Sequence, residues 1–373
     1  MKNILITGGA GFIGYELTKS LVSQGFNVTV LDNLSKKIHS NKDKYNSLKD
    51  ISNFIIGDVN SKKDWQKAIL EQDAIIHLAS ETGTGQSMYD IYNYTNVNVA
   101  STALMLDVLT NSNHSVKKII LASSRSVYGE GKYKCPEHGL FYPNERSLID
   151  LNNREYNFLC DKCRKELIPL ATDENSNINP RSIYAITKYS QEQMLRLIGK
   201  TLNVDTVVLR YQNVYGPGQS LSNPYTGILS IFSTRILNGN NIDIYEDGLE
   251  SRDFVYIDDV VEATVTVLKS KKSKNQIFNI GSGEAVSVIS LAKQLKELYM
   301  SNIDINIINK FRLGDIRHNY ADISKINSTL KFSNKYLLED GLKKFIEWVK
   351  NQELSRDNYL DSYNELEQKG LIR

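Results

Sequence analysis

Cysteine is scarce in this chain of 373 residues: Cys135, Cys160 and Cys163 are the only three. So small and odd a number excludes the disulfide framework of small secreted domains and suits a reducing cytoplasm. An excess of charge is missing as well. Lys and Arg total 45 against 43 Asp and Glu, a net +2, so no global field draws the chain to nucleic acid or to an anionic membrane. No window approaches the roughly 18 consecutive apolar residues of a membrane-spanning helix. The N-terminal "MKNILITGGAGFIGYEL" is broken by glycines and followed by charge, and so does not read as a signal peptide. There is no internal repeat, and the polar run from Ser35 to Ser47, "SKKIHSNKDKYNS", reads as a solvated loop.

What is present is a rhythm. Short β-branched runs ("KNILIT", "NVTVLD", "NFIIGD", "DAIIHLAS", "KKIILASS", "DTVVLRY") alternate with longer amphipathic stretches. Runs apolar at consecutive positions suit strands buried on both faces, so the pattern predicts an α/β protein with a doubly wound parallel sheet, a Rossmann core, and a smaller α/β substrate-binding lobe. Residues 1–212 are expected to form the dinucleotide-binding domain, with an insertion at about 130–178. Residues 213–373 are expected to form mainly the second lobe, with segments around 252–281 returning to the first core. "NPYTGILSIFSTRILNG" reads as a helix ending at Gly239, and "SVISLAKQLKELYM" as another. The tail from Glu353 reads as a charged surface helix without chemistry.

"ILITGGAGFIG", Ile4 to Gly14, places G-x-x-G-x-x-G between a strand and a helix. Gly8 permits the tight turn, Gly11 lets the backbone approach a pyrophosphate, and Gly14 lets the helix pack close to the strand; Phe12 and Ile13 open that helix. The second strand ends at Asp32 and Asn33. Asp32, 18 residues after Gly14, can accept ribose hydroxyls and would repel a 2′-phosphate, favouring NAD over NADP. Asp58 and Val59 of "GDV", and Leu78, Ala79 and Ser80 of "HLAS", sit at strand ends where the rest of a dinucleotide would lie. His77, between Ile76 and Leu78, reads as structural.

"SIYAITKYSQE" carries Tyr184 and Lys188 four apart, on one face of a helix. A tyrosine near its ordinary pKa of about 10 is a poor base at neutral pH, so a neighbouring ammonium is needed to favour the phenolate. Ser123 and Ser124, at the end of a strand, can donate a hydrogen bond to a reacting oxygen.

Together these motifs resemble the extended short-chain dehydrogenase/reductase family, specifically its NAD-dependent nucleotide-sugar epimerases and dehydratases, over nearly the whole chain. The resemblance implies Ser124, Tyr184 and Lys188 as the catalytic group, with Tyr184 the acid/base and Lys188 also holding the nicotinamide ribose. It implies Asn98 and Tyr211 beside the cofactor, and Thr82 and Asn213 beside the substrate. "DGLESRDFVYIDDV" and "FRLGDIRH" are similar to family elements that imply Arg252 and Arg312 toward the diphosphate and Asp315 toward the nucleotide ribose. Sugar 4,6-dehydratases of the family carry an Asp-Glu pair after the residue corresponding to Ser124; here Arg125 and Ser126 stand instead, which implies redox-neutral 4-epimerisation. "SSRSVYGEG", "SLSNPYTG" and "RLGDIRHN" are similar, more narrowly, to the dTDP-L-rhamnose 4-epimerases, pointing to that sugar or a related dTDP- or UDP-sugar, and the resemblance suggests a homodimer. A 4-keto nucleotide-sugar reductase and a non-catalytic NAD-sensing protein remain open as alternatives.

From Ser124 to Tyr184 is 60 residues, longer than in plainer members of the family. The stretch between holds C-x-x-H and C-x-x-C: Cys135, His138, Cys160 and Cys163. That spacing can fold two knuckles around one tetrahedral ion with no open position, hence a structural zinc. The insertion has seven basic and seven acidic residues between Glu130 and Glu166, and so lacks the basic stripe of a nucleic-acid module.

Overall fold

A computed structural model describes residues 1–35, 43–223 and 227–373. Seven strands form one parallel sheet: β1 (Asn3–Thr7), β2 (Asn27–Asp32), β3 (Asn53–Ile56), β4 (Ala74–His77), β5 (Lys118–Ser124), β6 (Asp205–Tyr211) and β7 (Ile277–Ile280), in the order β7-β6-β5-β4-β1-β2-β3. Successive side chains leave a strand on opposite faces, so the consecutive apolar residues feed two cores. Ile4 and Ile6 enter one, with Leu17, Leu21 and Val260 from the helices Phe12–Ser23 and Ile257–Lys269. Leu5 enters the other, with Trp65, Met105 and Leu195. The order reverses between β1 and β4, and the crevice beyond the carboxyl ends of these strands is where such a sheet binds ligands.

The first core continues into the second lobe without a break, through Ile242, Ile244, Leu291, Leu295 and Phe345. Among the described residues that lobe contains the helices Ile228–Leu237, Val288–Tyr299 and Leu338–Lys350 and three small sheets, one of which joins Val286–Ser287, Ser251–Arg252 and His318–Asn319. The insertion builds its own three-stranded antiparallel sheet, with Lys132–Cys135 between Gly139–Phe141 and Ile168–Leu170.

Three elements differ from expectation. The polar run after Ser35 is not all loop: Asp43–Lys49 is helical, because Leu48 is fully buried and Lys44 donates to the Gly218 carbonyl at 2.9 Å while lying over the Tyr15 ring. Residues 36–42, with Lys36 and Lys37, lie outside the described residues. The helix expected in "NPYTGILSIFSTRILNG" begins at Ile228 and ends at Leu237, and residues 224–226 lie outside the described residues. The tail is a helix, Tyr359–Gln368, but not a surface ornament. Its Tyr359, Ser362, Tyr363 and Leu366 line the central cavity, and the last residues pair with the Arg312 segment: the Phe311 amide donates to the Arg373 carbonyl and the Leu313 amide to the Leu371 carbonyl, both at 2.9 Å. Charge pattern alone conceals this, since Tyr359 and Leu366 are spaced seven apart among solvated neighbours. Among the described residues no helix is long and apolar enough to cross a membrane.

Candidate active site

One cavity of about 910 Å³ runs from the first glycine turn to the tail helix. At one end the backbone leaves no room for side chains. Gly8 has φ +69, and a Cβ there would come within 2.8 Å of the Ala79 nitrogen; a Cβ on Gly14 would sit 2.3 Å from the Gly8 carbonyl oxygen. Turn and helix are therefore in direct backbone contact, leaving amides of the helix start open to a phosphate. Gly14→Ala is expected to abolish NAD retention and lower stability by several kcal/mol, on the scale of overpacking; unchanged NAD content after gel filtration would contradict this.

Gly11, Phe12, Ile13, Asn33, Asp58, Val59, Leu78, Ala79 and Ser80 also line the cavity. Asp32 is fixed at the end of β2 by the Ala10 amide (3.0 Å) and the Leu34 amide (2.8 Å), beside the glycine turn in the cavity wall. Asn33 donates to Asp58 at 2.9 Å. Glycine cradle, the Asp32 carboxylate and the walls from β3 and β4 together fit a dinucleotide. Asn98 does not belong with them. It is fully buried and outside the cavity lining, its amide consumed by the Glu81 backbone on both sides and by the Thr187 hydroxyl at 3.0 Å; it braces the loop after β4 against the helix Ile183–Thr201. His77 is likewise a neutral strut, between the hydroxyls of Thr7 (2.7 Å) and Thr102 (3.1 Å), with burial pushing its pKa down to about 3.

Tyr184 and Lys188 project from the helix Ile183–Thr201, whose first turn is capped by Ser182 accepting from the Ala185 amide at 3.1 Å. Both line the cavity with Ser124. Burial raises the Tyr184 pKa, opposed by a hydrogen bond with the Ser124 side chain and by the Arg125 charge. Burial draws Lys188 down to about 7, opposed by Glu192. The tyrosine ring is held by the edge of Tyr94, centroids 6.4 Å apart. Ser123, the other serine of the strand end, is spent on a hydrogen bond to Glu192. Glu192 also takes a bidentate pair from buried Arg210, at 3.0 and 2.7 Å. This brace was missed in the sequence, although a glutamate four residues after Lys188 is a signal for it.

Thr82, Tyr211, Asn213, Arg252, Arg312 and Asp315 line the same cavity. Arg252 donates to the carbonyls of Ser251, Arg317 and Ile316, which fixes its guanidinium at the cavity wall. Arg312 pairs with Asp315 at 3.1 Å and stacks on the Tyr245 ring. Burial would raise the Asp315 pKa, but Arg312, Arg252, Arg146 and Arg125 together hold it below the usual carboxylate range. The Asp of the "RDF" element, Asp253, is not a ligand group: it is fully buried and accepts from Ser282, Gly283 and Ala321.

Residues 4–146 and 162–281 match the NAD dependent epimerase/dehydratase family. The chain belongs to that family. It is 36% identical over 359 residues to the dTDP-L-rhamnose 4-epimerase of Burkholderia thailandensis, covering 96% of this chain and 97% of the relative. It is 30% identical to a putative UDP-glucose 4-epimerase of Methanocaldococcus jannaschii, covering 93% and 98%. Among solved structures it superposes on UDP-glucose 4-epimerase from Thermotoga maritima with UDP-glucose (TM-score 0.76, 29% identity, 93% of this chain and 98% of that one). It superposes equally on UDP-glucuronic acid 4-epimerase from Bacillus cereus in complex with UDP-glucuronic acid and NAD (TM-score 0.76, 27% identity, 93% and 99%). The family's cofactor is NAD, in keeping with the cradle and carboxylate described above. The matched segments leave out residues 147–161, part of the insertion.

Away from the cavity, the insertion brings Cys135, His138, Cys160 and Cys163 together with their ligand atoms all within 4.8 Å of one another. Cys135 Sγ lies 3.5 Å from both His138 Nδ1 and Cys163 Sγ, and Cys160 Sγ 3.5 Å from His138 Nδ1. A tetrahedron with metal–sulfur bonds of about 2.3 Å has edges of about 3.8 Å, close to these separations.

Proposed function

We propose that the chain is an NAD-dependent nucleotide-sugar 4-epimerase, acting on dTDP-L-rhamnose or a related dTDP- or UDP-sugar, with Ser124, Tyr184 and Lys188 as the catalytic group. The observation that carries this is the single cavity that joins the glycine cradle and these three residues to Arg252, Arg312 and Asp315, with no acid pair after Ser124. In this reading the glycine turn, Asp32, Asn33, Asp58 and the residues after β4 hold NAD. Residues 1–212 with the returning β7 segment form the cofactor side, and most of residues 213–373 the substrate side. NAD, when bound, supplies a reversible hydride acceptor for the sugar carbon and ends each turnover unchanged. Tyr184 accepts the proton of the sugar 4-hydroxyl and gives it back after the sugar ring has turned over. Ser124 donates a hydrogen bond to that same oxygen, and Lys188, protonated below its lowered pKa, favours the phenolate. Asp315 accepts nucleotide ribose hydroxyls and the arginines face the diphosphate. Incubating the protein with dTDP-L-rhamnose, UDP-glucose and UDP-glucuronate and resolving products by NMR is expected to show a C4 epimer with no net change in reduced-nicotinamide absorbance. Stoichiometric consumption of added NADH would instead identify a 4-ketose reductase.

The same proposal includes a zinc ion held by Cys135, His138, Cys160 and Cys163. Four protein ligands leave no open position, so the ion orders the insertion and takes no part in the reaction. Metal analysis is expected to give one zinc per chain, with chelation lowering the melting temperature; zinc-free protein at full activity and stability would remove the idea. A homodimer is supported by the exposed Ile91, Tyr92 and Ile186 on neighbouring helices. A reducing cytoplasm suits the three free thiols.

A further inference from the structure

We propose that Arg125 is the second jaw of a phosphate clamp, facing Arg252, that holds the substrate phosphate bearing the sugar. The proposal rests on the nucleotide-sugar reading above and concerns a residue that reading leaves without a role.

Arg125 opens the single turn Arg125–Tyr128 that directly follows Ser124, and its half-buried side chain lines the cavity with Tyr184 and Arg252. The charged and titratable groups it faces are Arg252, Asp315, Tyr184 and Asp253. Both carboxylates are committed elsewhere: Asp315 to Arg312, and Asp253 to its four donors from Ser282, Gly283 and Ala321. Among the described residues the Arg125 guanidinium therefore has no ion-paired partner, although it is half-buried near a second guanidinium. Two such groups in a recessed site repel each other and each lose hydration; an anion between them reverses both penalties. Burial, reinforced by Arg252 and opposed by Asp315, Tyr184 and Asp253, draws the Arg125 pKa down to about 9.

A planar fork on either side suits a phosphate. In the proposed reading Arg312 and Asp315 serve the nucleotide, whereas Arg125 directly follows Ser124 and faces Tyr184, so the phosphate assigned to it is the one nearest the reacting sugar. Held there, that phosphate is a fixed pivot about which the sugar ring turns over while C4 stays within reach of Tyr184. The position that holds an acid in the dehydratases thus carries a positioning cation here.

The test uses NAD-loaded protein and calorimetry with dTDP, UDP, dTMP and UMP. The diphosphates end in the phosphate that would bear the sugar; the monophosphates lack it. Arg125→Met is expected to weaken the binding of whichever diphosphate the wild type prefers by about 10- to 100-fold, the worth of one charge-assisted bidentate pair, and to leave its monophosphate within about twofold. Arg125→Lys should recover part of the loss. Equal weakening of diphosphate and monophosphate, or an unweakened diphosphate, overturns the clamp, as does a wild type that binds neither diphosphate. A wild type that binds one of them but epimerises no sugar removes the proposed reaction and leaves the clamp standing.

Discussion

Tyr184→Phe is expected to lower the epimerisation rate by about 10²- to 10⁴-fold, the usual contribution of a positioned acid/base, with NAD content and melting temperature close to wild type. The ring is retained, and with it the edge contact to Tyr94, so the substitution removes the hydroxyl and little else. Ser124 and Lys188 remain in place, the first beside a reacting oxygen that no longer has a proton acceptor, the second beside a ring that cannot ionise. Ser124→Ala should cost less, since it deletes one hydrogen bond and leaves the phenol. The decisive measurement is turnover of a nucleotide sugar at saturating substrate. A Tyr184→Phe rate within tenfold of wild type would mean that another group moves the proton, and the catalytic assignment would fall with it.

Arg146→Met is expected to destabilise the protein by about 3–5 kcal/mol, the cost of stranding a buried charge, and the loss should be greatest above neutral pH. Arg146 comes from the insertion and is buried against the second lobe, where it makes a bidentate pair with Glu246 at 2.7 and 2.8 Å and donates to the Asp315 carbonyl at 2.9 Å. Its Nε lies 3.9 Å from Glu130. Burial lifts the Glu130 pKa to about 7 against the pull of Arg146 and of the Arg317 amide. A carboxyl raised above its ordinary value binds more protons folded than unfolded, so its contribution to stability declines as pH rises from about 4.5 toward 7. Without Arg146 the shift grows and the decline steepens; in acid, a neutral Glu130 needs no partner. Urea titrations at pH 5.5 and 8 measure both effects, and a loss below about 1 kcal/mol at both values would show that Arg317, paired with Glu246 and Asp247 at 3.2 and 2.7 Å, carries the network alone. Because the Asp315 carbonyl is one of the acceptors, the variant should also bind nucleotide more weakly.

These two residues mark how differently parts of the molecule can be read. The placing of Tyr184, Lys188, the glycine turn and Asp32 is legible in the chain because it depends on short-range spacing: one helical turn for the pair, a strand-turn-helix for the glycines, the end of the next strand for the carboxylate. The sheet is legible for a similar reason, as strands buried on both faces must be apolar at consecutive positions. The Cys/His pattern is legible as two knuckles, and folding brings its four side chains together. Asn98 shows the limit, because an asparagine near a cofactor loop looks the same in sequence whether its amide faces a ligand or braces the backbone.

The sequence by itself determined the doubly wound sheet, the glycine turn between its first strand and helix, and the placing of Tyr184 and Lys188 on one helix face, since those follow from local periodicity and backbone sterics. Tertiary structure alone decided that Arg146 and Glu130 of the insertion lock onto Glu246 and Arg317, that the tail helix walls the central cavity, and that Arg125 shares that cavity with Arg252 with no ion pair among the described residues. Buried charges are settled by whichever opposite charge the fold brings within a few ångströms, and partners 100 or 187 residues away in the chain leave no periodic trace.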